Sequence, residues 1–398
     1  MISSALGGLG LFLLGMILLT DGLKAVAGEA LRTALARFTG RPGSALVTGA
    51  LLTALVQSST ATTVMTIGFV SAGLMTFTQA VGVIFGANIG TTSTAWIVSV
   101  IGFKVSMSAV ALPCIGVGAL LRLLRRGRAA ALGTTVAGFG LMFLGLDVLQ
   151  EGMKALSASL EPGSFPDGHA LAGRALLVLG GVVMVVILQS SSATVAATLT
   201  ALHLGTIDLT QAAALVIGQN VGTTTTAAIA AIGANTAVKR TAAAHLAFNV
   251  LTALVAFALL EPFVVGVRVV VERLGDPSDA TVLAGFHTGF NLLGVLLLFP
   301  VIGRFARLIE RLLPERGPVL VRHLAVDAAE IPGVALEAAR RTLGEVAAVL
   351  FEAARARLDG AEPAEVEAAL DPPRRALEDT RRFIAHVGAH EETAAEHA

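Results

Sequence analysis

Residues 57–94 read QSSTATTVMTIGFVSAGLMTFTQAVGVIFGANIGTTST, and residues 189–226 read QSSSATVAATLTALHLGTIDLTQAAALVIGQNVGTTTT. Aligned without a gap at an offset of 132, the two stretches agree at 16 of 38 positions. The agreements fall mainly on polar and small residues: Gln57/Gln189, Ser58/Ser190, Ser59/Ser191, Thr62/Thr194, Gln79/Gln211, Asn88/Asn220, Gly90/Gly222 and the threonines that follow. A second pair lies upstream, where Gly10 to Val26 (GLFLLGMILLTDGLKAV) matches Gly140 to Leu156 (GLMFLGLDVLQEGMKAL) at eight of 17 positions. Repetition of this kind means that one structural unit is used twice.

The setting of both copies is apolar. Of 398 residues, 55% are hydrophobic and 14% charged, with a mean hydropathy of +0.79. A soluble domain carries about 25% charged residues, so this composition excludes an ordinary water-soluble chain. The charges are also segregated, because residues 304–398 hold 30 of the 56 charged side chains. The expected fold is therefore an all-α integral membrane protein followed by a charged helical tail. Long alternating segments, the mark of a β-barrel, are absent. With 28 basic and 28 acidic residues the net charge is zero, which argues against nucleic acid as a partner. The single cysteine, Cys114, permits no internal disulfide and no cysteine zinc cluster. No GxSxG, HExxH or Walker loop occurs, so an enzyme is not expected.

Charge also orients the repeats. Loop 24–41 carries Lys24, Arg32, Arg37 and Arg41 against Glu29, whereas its counterpart 156–173 carries only Glu161 and Asp167. Basic loops face the cytoplasm, so matching loops of opposite sign imply inverted repeats. Arg122, Arg125, Arg126 and Arg128 mark a second cytoplasmic turn, and Lys239 with Arg240 a third. A crossing helix needs about 20 apolar residues. On that measure seven crossings are expected, over 5–24, 77–102, 105–124, 131–153, 209–233, 241–262 and 281–303, with the N-terminus outside and the tail inside. Segments 43–74 and 171–205 break at Gln-Ser-Ser and read as re-entrant hairpins with that motif at the tip. The crossings 77–102 and 209–233 break at GANIGTT and GQNVGTT. Three regions follow: residues 1–128 as repeat 1, 129–303 as repeat 2 with a final crossing, and 304–398 as a cytoplasmic tail.

Interrupted helices survive in lipid only where they line a cavity or pack on protein, and paired ones in inverted repeats point to a transporter's midplane site. Their N-termini suit an anion, and their hydroxyl and carbonyl oxygens suit a cation. Gln57, Ser58, Ser59 and Thr60 face this task in one half, and Gln189, Ser190, Ser191 and Ser192 in the other. Asn88, Thr91, Thr92, Thr94, Asn220, Thr223, Thr224 and Thr226 add oxygens of the hard type that Na+ accepts. No charged residue or histidine lies between Gln57 and Phe103, and between Gln189 and Val238 there are only His203 and Asp208. A proton-coupled carrier normally has a titratable relay inside the membrane, so Na+ is the expected coupling ion. His245 and His287, in H-L-A-F-N and H-T-G-F-N, read as interhelical hydrogen-bonding groups. Asp21 with Lys24 and Glu151 with Lys154 read as interface pairs at i,i+3.

The duplicated Gln57-Ser-Ser-Thr and Gln189-Ser-Ser-Ser, followed by Asn88-Ile-Gly-Thr-Thr and Asn220-Val-Gly-Thr-Thr, resemble the type II sodium-dependent phosphate cotransporters, in particular their bacterial members. The opening pattern from Gly7 to Gly28 also looks like those members. The resemblance covers nearly all of residues 1–303. It implies Na+-coupled movement of inorganic phosphate across a bacterial cytoplasmic membrane, with no organic cofactor and a homodimeric assembly. It implies phosphate contacts from Gln57, Ser58, Ser59, Thr60, Gln189, Ser190, Ser191 and Ser192, with Asn88 and Asn220 beside them. Sodium is then assigned to Thr91, Thr92, Thr94, Gln189, Ser190, Thr223, Thr224 and Thr226. Two departures stand out: Thr60 replaces the last serine of the first motif, and no H-x-x-F-N occurs in the first half. The tail, from His323 to Phe351 and again from Pro363 to Val387, more weakly resembles the start of a PhoU-like helical domain. Other outcomes of the same pattern are phosphate export, carriage of a different anion, or a membrane phosphate sensor that does not transport.

Overall fold

A stretch rich in Leu, Gly and Ala, with no proline, carries the first helix, α1, over 37 residues from Ile2 to Phe38. The computed structural model describes residues 2–103, 107–157, 164–232, 234–276, 278–314, 319–321, 323–324 and 332–396. Glu161 and residues 325–331, which enter the charge and tail readings above, lie outside these. The first half continues with α2 (Pro42–Val56), α3 (Ser59–Ser71), α4 (Phe77–Thr91), α5 (Ser93–Trp96) with a π-helical turn to Gly102, and α6 (Met107–Leu124). The second half opens with α7 (Gly127–Ser157) and runs through α8 (Leu171–Leu188), α9 (Ser191–His203), α10 (Leu209–Gly222), α11 (Thr224–Ala230) and α12 (Thr236–Ala258). Next come α13 (Leu260–Arg273), α14 (Asp279–Leu298) and α15 (Ile302–Leu312), and then the tail helices α16 (Pro332–Leu358) and α17 (Pro363–Glu396). Among the described residues there is no strand.

Among the described residues, six helical stretches are long and apolar enough to cross a membrane: Ile2–Phe38, Phe77–Gly102, Gly127–Ser157, Leu171–Leu188, Thr236–Ala258 and Asp279–Leu312. This differs from the sequence count in three places. Residues 209–233 split at Thr223 into pieces of 14 and 7 residues, neither long enough alone. The expected crossing 105–124 begins outside the described residues, and its described apolar part, Ala109–Leu124 of α6, is 16 residues long. Leu171–Leu188 is one helix of spanning length, because nothing in its Leu/Val/Ile run stops it before Gln189.

Close packing of glycine faces organises the molecule. On α1, Gly8, Gly15 and Gly22 lie against the backbone of Leu149, Met142 and Thr135 of α7. In return Gly138, Gly145 and Gly152 lie against Leu19, Phe12 and Ala5, and any Cβ at these sites would collide. Numbers rise on one helix as they fall on the other, so α1 and α7 are antiparallel. Small residues at such an interface let backbones approach and gain van der Waals contact where lipid supplies no hydrophobic drive.

Within each half a second seam repeats. Gly86 of α4 abuts the Leu46 carbonyl of α2, and Gly90 abuts that of Ala50; Gly218 of α10 abuts the Val178 carbonyl of α8. These pairs run in the same sense along both helices, so α2 is parallel to α4 and α8 to α10. The chain must then reverse through α3 and α9. Gln79 Nε2 donates to the Gly40 carbonyl at 2.9 Å, and Gln211 Nε2 to the Pro166 carbonyl at 2.9 Å, which ties the start of each two-helix pair to the level of its end. Thr76 with Gln79 and Asp208 with Gln211 form matching capping boxes at the starts of α4 and α10.

The tail rests on the first half. Val334 and Ala338 of α16 are buried with Leu31, Leu35, Phe69 and Met75. Arg341 Nη1 donates to the Gly73 carbonyl at 2.8 Å, and His323 Nδ1 lies 3.2 Å from the Ser71 carbonyl.

Candidate functional site

The Gln-Ser-Ser breaks are sharp corners. Gln57 (φ 58°) and Gln189 (φ 49°) are the non-glycine residues of positive φ among the described residues. A left-handed backbone costs an L-residue about 1–2 kcal/mol, and such strain collects at functional sites. Each corner ends one helix and lets the following serine start the next. Ser58 Oγ accepts from Ala61 N at 3.2 Å, and Ser190 Oγ accepts from Ala193 N at 3.3 Å. Both serines are thus N-caps of 13-residue helices whose positive dipole ends point at the corner. The cap uses a lone pair, so each hydroxyl hydrogen is left to donate.

The corners converge. Thr94 Oγ1 donates to Gln57 Oε1 at 3.0 Å and lies 3.2 Å from Ser192 Oγ of the other half. Gln57 Nε2 donates to Ser93 Oγ at 2.8 Å, while Gln189 Nε2 turns back to the Val186 carbonyl at 2.6 Å. Between the corners lies a cavity of ≈ 390 Å³. Gln57, Ser58, Ser59, Thr60, Gln189, Ser190, Ser191 and Ser192 all line it, together with Thr91 and Thr94. Leu13, Met16, Ile17, Thr20, Asp21 and Lys24 of α1 form a further wall. Asp21 and Lys24 are the charged residues among the described lining, with Lys24 Nζ 3.4 Å from Asp21 Oδ1.

A second, much smaller cavity of ≈ 30 Å³, room for about one water, lies alongside. Ser59 and Thr60 line both cavities; Thr63, Thr223, Thr226 and His245 add polar groups to the small one, and Val64, Ile67, Ala227 and Ala230 make the rest of its wall apolar. His245 is buried (4% exposed), and its Nδ1 has no hydrogen-bond partner. Thr223 Oγ1 donates to the Asn220 carbonyl at 2.6 Å, and Thr226 Oγ1 to the Thr223 carbonyl at 3.2 Å. The hydroxyl lone pairs stay open to a cation.

The remaining sequence candidates lie elsewhere. Asn88 is buried and donates to the Ile84 carbonyl at 2.8 Å. Asn220 bonds Asn249 of α12 and, at 3.4 Å, Asn291 of α14, forming a fully buried amide node. Thr92 Oγ1 lies 2.9 Å from Thr288 Oγ1, which accepts from Trp96 Nε1 at 2.8 Å, and Thr224 Oγ1 donates to the Val221 carbonyl at 2.8 Å. The interhelical bonds expected of His245 and His287 are made instead by Asn249 and Asn291, while both Nδ1 atoms lack partners. The α1 wall was missed from sequence. Its signal was present: residues 13, 16, 17, 20, 21 and 24 follow helical spacing on the side opposite Gly8, Gly15 and Gly22.

The Na+/Pi-cotransporter family profile matches residues 11–151 and 168–271, a span that takes in both corners and both helix breaks. The chain is 34% identical over 305 residues to "Uncharacterized protein YqeW" of Bacillus subtilis, covering 77% of this chain and 96% of that protein. It is 33% identical over 346 residues to "Putative inorganic phosphate export protein YjbB" of Escherichia coli, covering 85% of this chain but only 61% of that protein's length. A 58-residue segment, 15% of this chain and 9% of the relative, is 45% identical to "Sodium-dependent phosphate transport protein 2A" of Ovis aries. No solved structure matches the chain. The polar corners, the helix breaks and these matches coincide, and the chain belongs to the Na+/Pi-cotransporter family.

Proposed function

We propose that the protein carries inorganic phosphate across the cytoplasmic membrane by alternating access, coupled to Na+. The observation that bears most weight is the convergence of two serine-capped helix N-termini on one polar cavity. Phosphate is strongly hydrated and must exchange water for hydroxyl and amide donors. Ser58, Ser59, Thr60, Ser190, Ser191 and Ser192 supply hydroxyls there, and Gln57 and Gln189 amides. The antiparallel packing of α1 on α7, its sequence counterpart, supports inverted repeats. The parallel runs of α2 with α4 and of α8 with α10 support re-entrant hairpins between them.

Sodium belongs beside the anion, in the small cavity of Thr63, Thr223 and Thr226, where Ser59 and Thr60 form a shared wall. A cation there offsets the anion's charge across one layer of hydroxyls, so each ion improves the site for the other. Thr91 and Thr94 offer the matching oxygens from the first half. Net direction follows the gradients, and the name of the Escherichia coli relative favours export in the cell. The test is ³²P-phosphate flux in proteoliposomes, loaded inside or outside, with Na+ against K+ or choline. Flux that needs Na+ supports the reading. Flux that follows only a proton gradient removes the Na+ assignment, and binding without flux makes the protein a sensor.

A further inference from the structure

We propose that Lys24 is the docking cation for phosphate in the large cavity, and that Asp21 holds it in reserve until the anion arrives. This rests on the phosphate reading above and goes beyond it, since the hairpins and helix breaks that define the family motif carry no basic residue near the corners.

The geometry begins with α1. Its glycine face is locked to α7, so the opposite face, which carries residues 13 to 24, cannot rotate away from the cavity. The eleven steps of helix from Leu13 to Lys24 rise about 16 Å, and six side chains along them line the cavity. Leu13, Met16 and Ile17 make one end apolar, and Thr20, Asp21 and Lys24 make the other polar. Every other polar lining group among the described residues is neutral, so Lys24 is the one fixed positive charge that can reach an anion there.

The pair is built to exchange partners. Lys24 and Asp21 are 44% and 61% exposed, at 3.4 Å, and an exposed pair of this kind is worth little. A phosphate dianion brings twice the charge of one carboxylate and three or more acceptor oxygens. In the confined cavity it outcompetes Asp21 for the ammonium, because Coulomb attraction scales with the product of the charges. The four-carbon stem of lysine lets Nζ swing from Asp21 toward the corners while α1 stays fixed. Asp21 has a distinct part: it keeps the empty cavity neutral, so that Lys24 does not retain a monovalent anion.

A structural ion pair and a docking pair make opposite predictions, and this decides the test. Equilibrium binding of ³²P-phosphate to the purified full-length protein in detergent, with Na+ present, is measured for wild type, Lys24→Gln, Lys24→Arg and Asp21→Asn. Loss of a charged donor to the anion should weaken binding roughly tenfold or more in Lys24→Gln. Lys24→Arg should restore most of it. Asp21→Asn should tighten binding by a few-fold, because the competitor for Lys24 is gone. If Asp21→Asn and Lys24→Gln weaken binding alike, or if Lys24→Gln binds as wild type does, the docking role is overturned while the phosphate reading stands. Wild-type protein that binds no phosphate overturns both.

Discussion

Ser58 and Ser190 each accept a backbone N–H and keep a hydroxyl hydrogen for a ligand, so a substitution there has two separable effects. Ser190→Ala removes the cap, at a cost of about 0.5–2 kcal/mol in stability. It also removes a donor to the anion, weakening apparent phosphate affinity by about 10- to 150-fold. Ser190→Asp separates them: the carboxylate still caps α9 but opposes the anion. Detergent melting close to wild type with phosphate binding abolished is the expected pair of results; Asp tolerated in binding would make the corner a packing device. Thr223→Val deletes an oxygen of the small cavity and nearly preserves shape. It should raise the Na+ concentration needed for half-maximal uptake several-fold while leaving phosphate affinity at saturating Na+ unchanged. These hydroxyls were legible in the sequence because they recur at matched positions in an uncharged stretch. Asn220 was harder to read, since an amide in a helix break looks the same facing a ligand as facing Asn249 and Asn291, and only packing separates the two.

Between elements, glycine contacts set the register. Gly86 with Leu46 and Gly218 with Val178 are the same pair displaced by the repeat offset, so the two hairpin-bearing units are seated on their helices in the same way. Gly15→Ala, Gly86→Ala and Gly218→Ala each push a methyl into a facing backbone that cannot yield as a side chain would. A loss of about 1–3 kcal/mol or more is expected for each, read as a lower melting temperature in detergent. Gly10→Ala is the control: nothing lies within 4 Å of the added carbon, so stability should be unchanged or slightly raised. The repeat, the two breaks and the corners were visible in the sequence. The seven-residue spacing of Gly8, Gly15 and Gly22, and of Gly138, Gly145 and Gly152, was visible too, but spacing does not say which helix faces which. For the same reason the α1 wall does not stand out in the sequence: its polar end reads as an i,i+3 interface pair until α7 fixes the helix's rotation. The end of α8 at Gln189 was legible, but that corner looks the same in sequence whether the helix before it is short or of spanning length.

At the scale of the molecule, the tail and the two-sidedness of the repeats meet. The apolar stripe after Pro332 was evident from the sequence, but its receiver, the seam of α1 with the end of α3, is a tertiary fact. Glu337 accepts from Arg340 Nε and Nη2 at 2.7 Å each and from Arg341 Nε at 2.8 Å; these hydrogen bonds, Arg340's first, hold its carboxyl down at about 2. A depressed carboxylate stabilises above its unfolded value, near 4.3, and loses that contribution only as pH falls toward 2. The contribution of Glu337 to tail docking should therefore be flat from pH 8 to pH 5, whereas Glu337→Gln or Arg341→Ala should expose α16 to protease at neutral pH. The docked tail also marks one end of the helices. It lies at the level of the 71–75 turn, near the C-terminal end of α1, where Arg32, Arg37 and Arg41 cluster; the stretch from 24 to 38, expected as a loop, is helix. Because α7 runs against α1, the loop that follows α7 must emerge at the opposite face from the loop that follows α1. Those loops contain Gly40 and Ser164, each two residues or fewer from the carbonyl that receives Gln79 or Gln211. Gly40 is exposed with open space around its Cα, whereas neighbouring Thr39 is buried and would be protected whichever side it faced. In a Cys114→Ala background, an impermeant thiol reagent applied to intact cells should therefore label Ser164→Cys and spare Gly40→Cys, and the order should reverse in inside-out vesicles. Labelling of both from one side would place the two loops together and break the inverted arrangement, and with it the two-sided access on which transport depends.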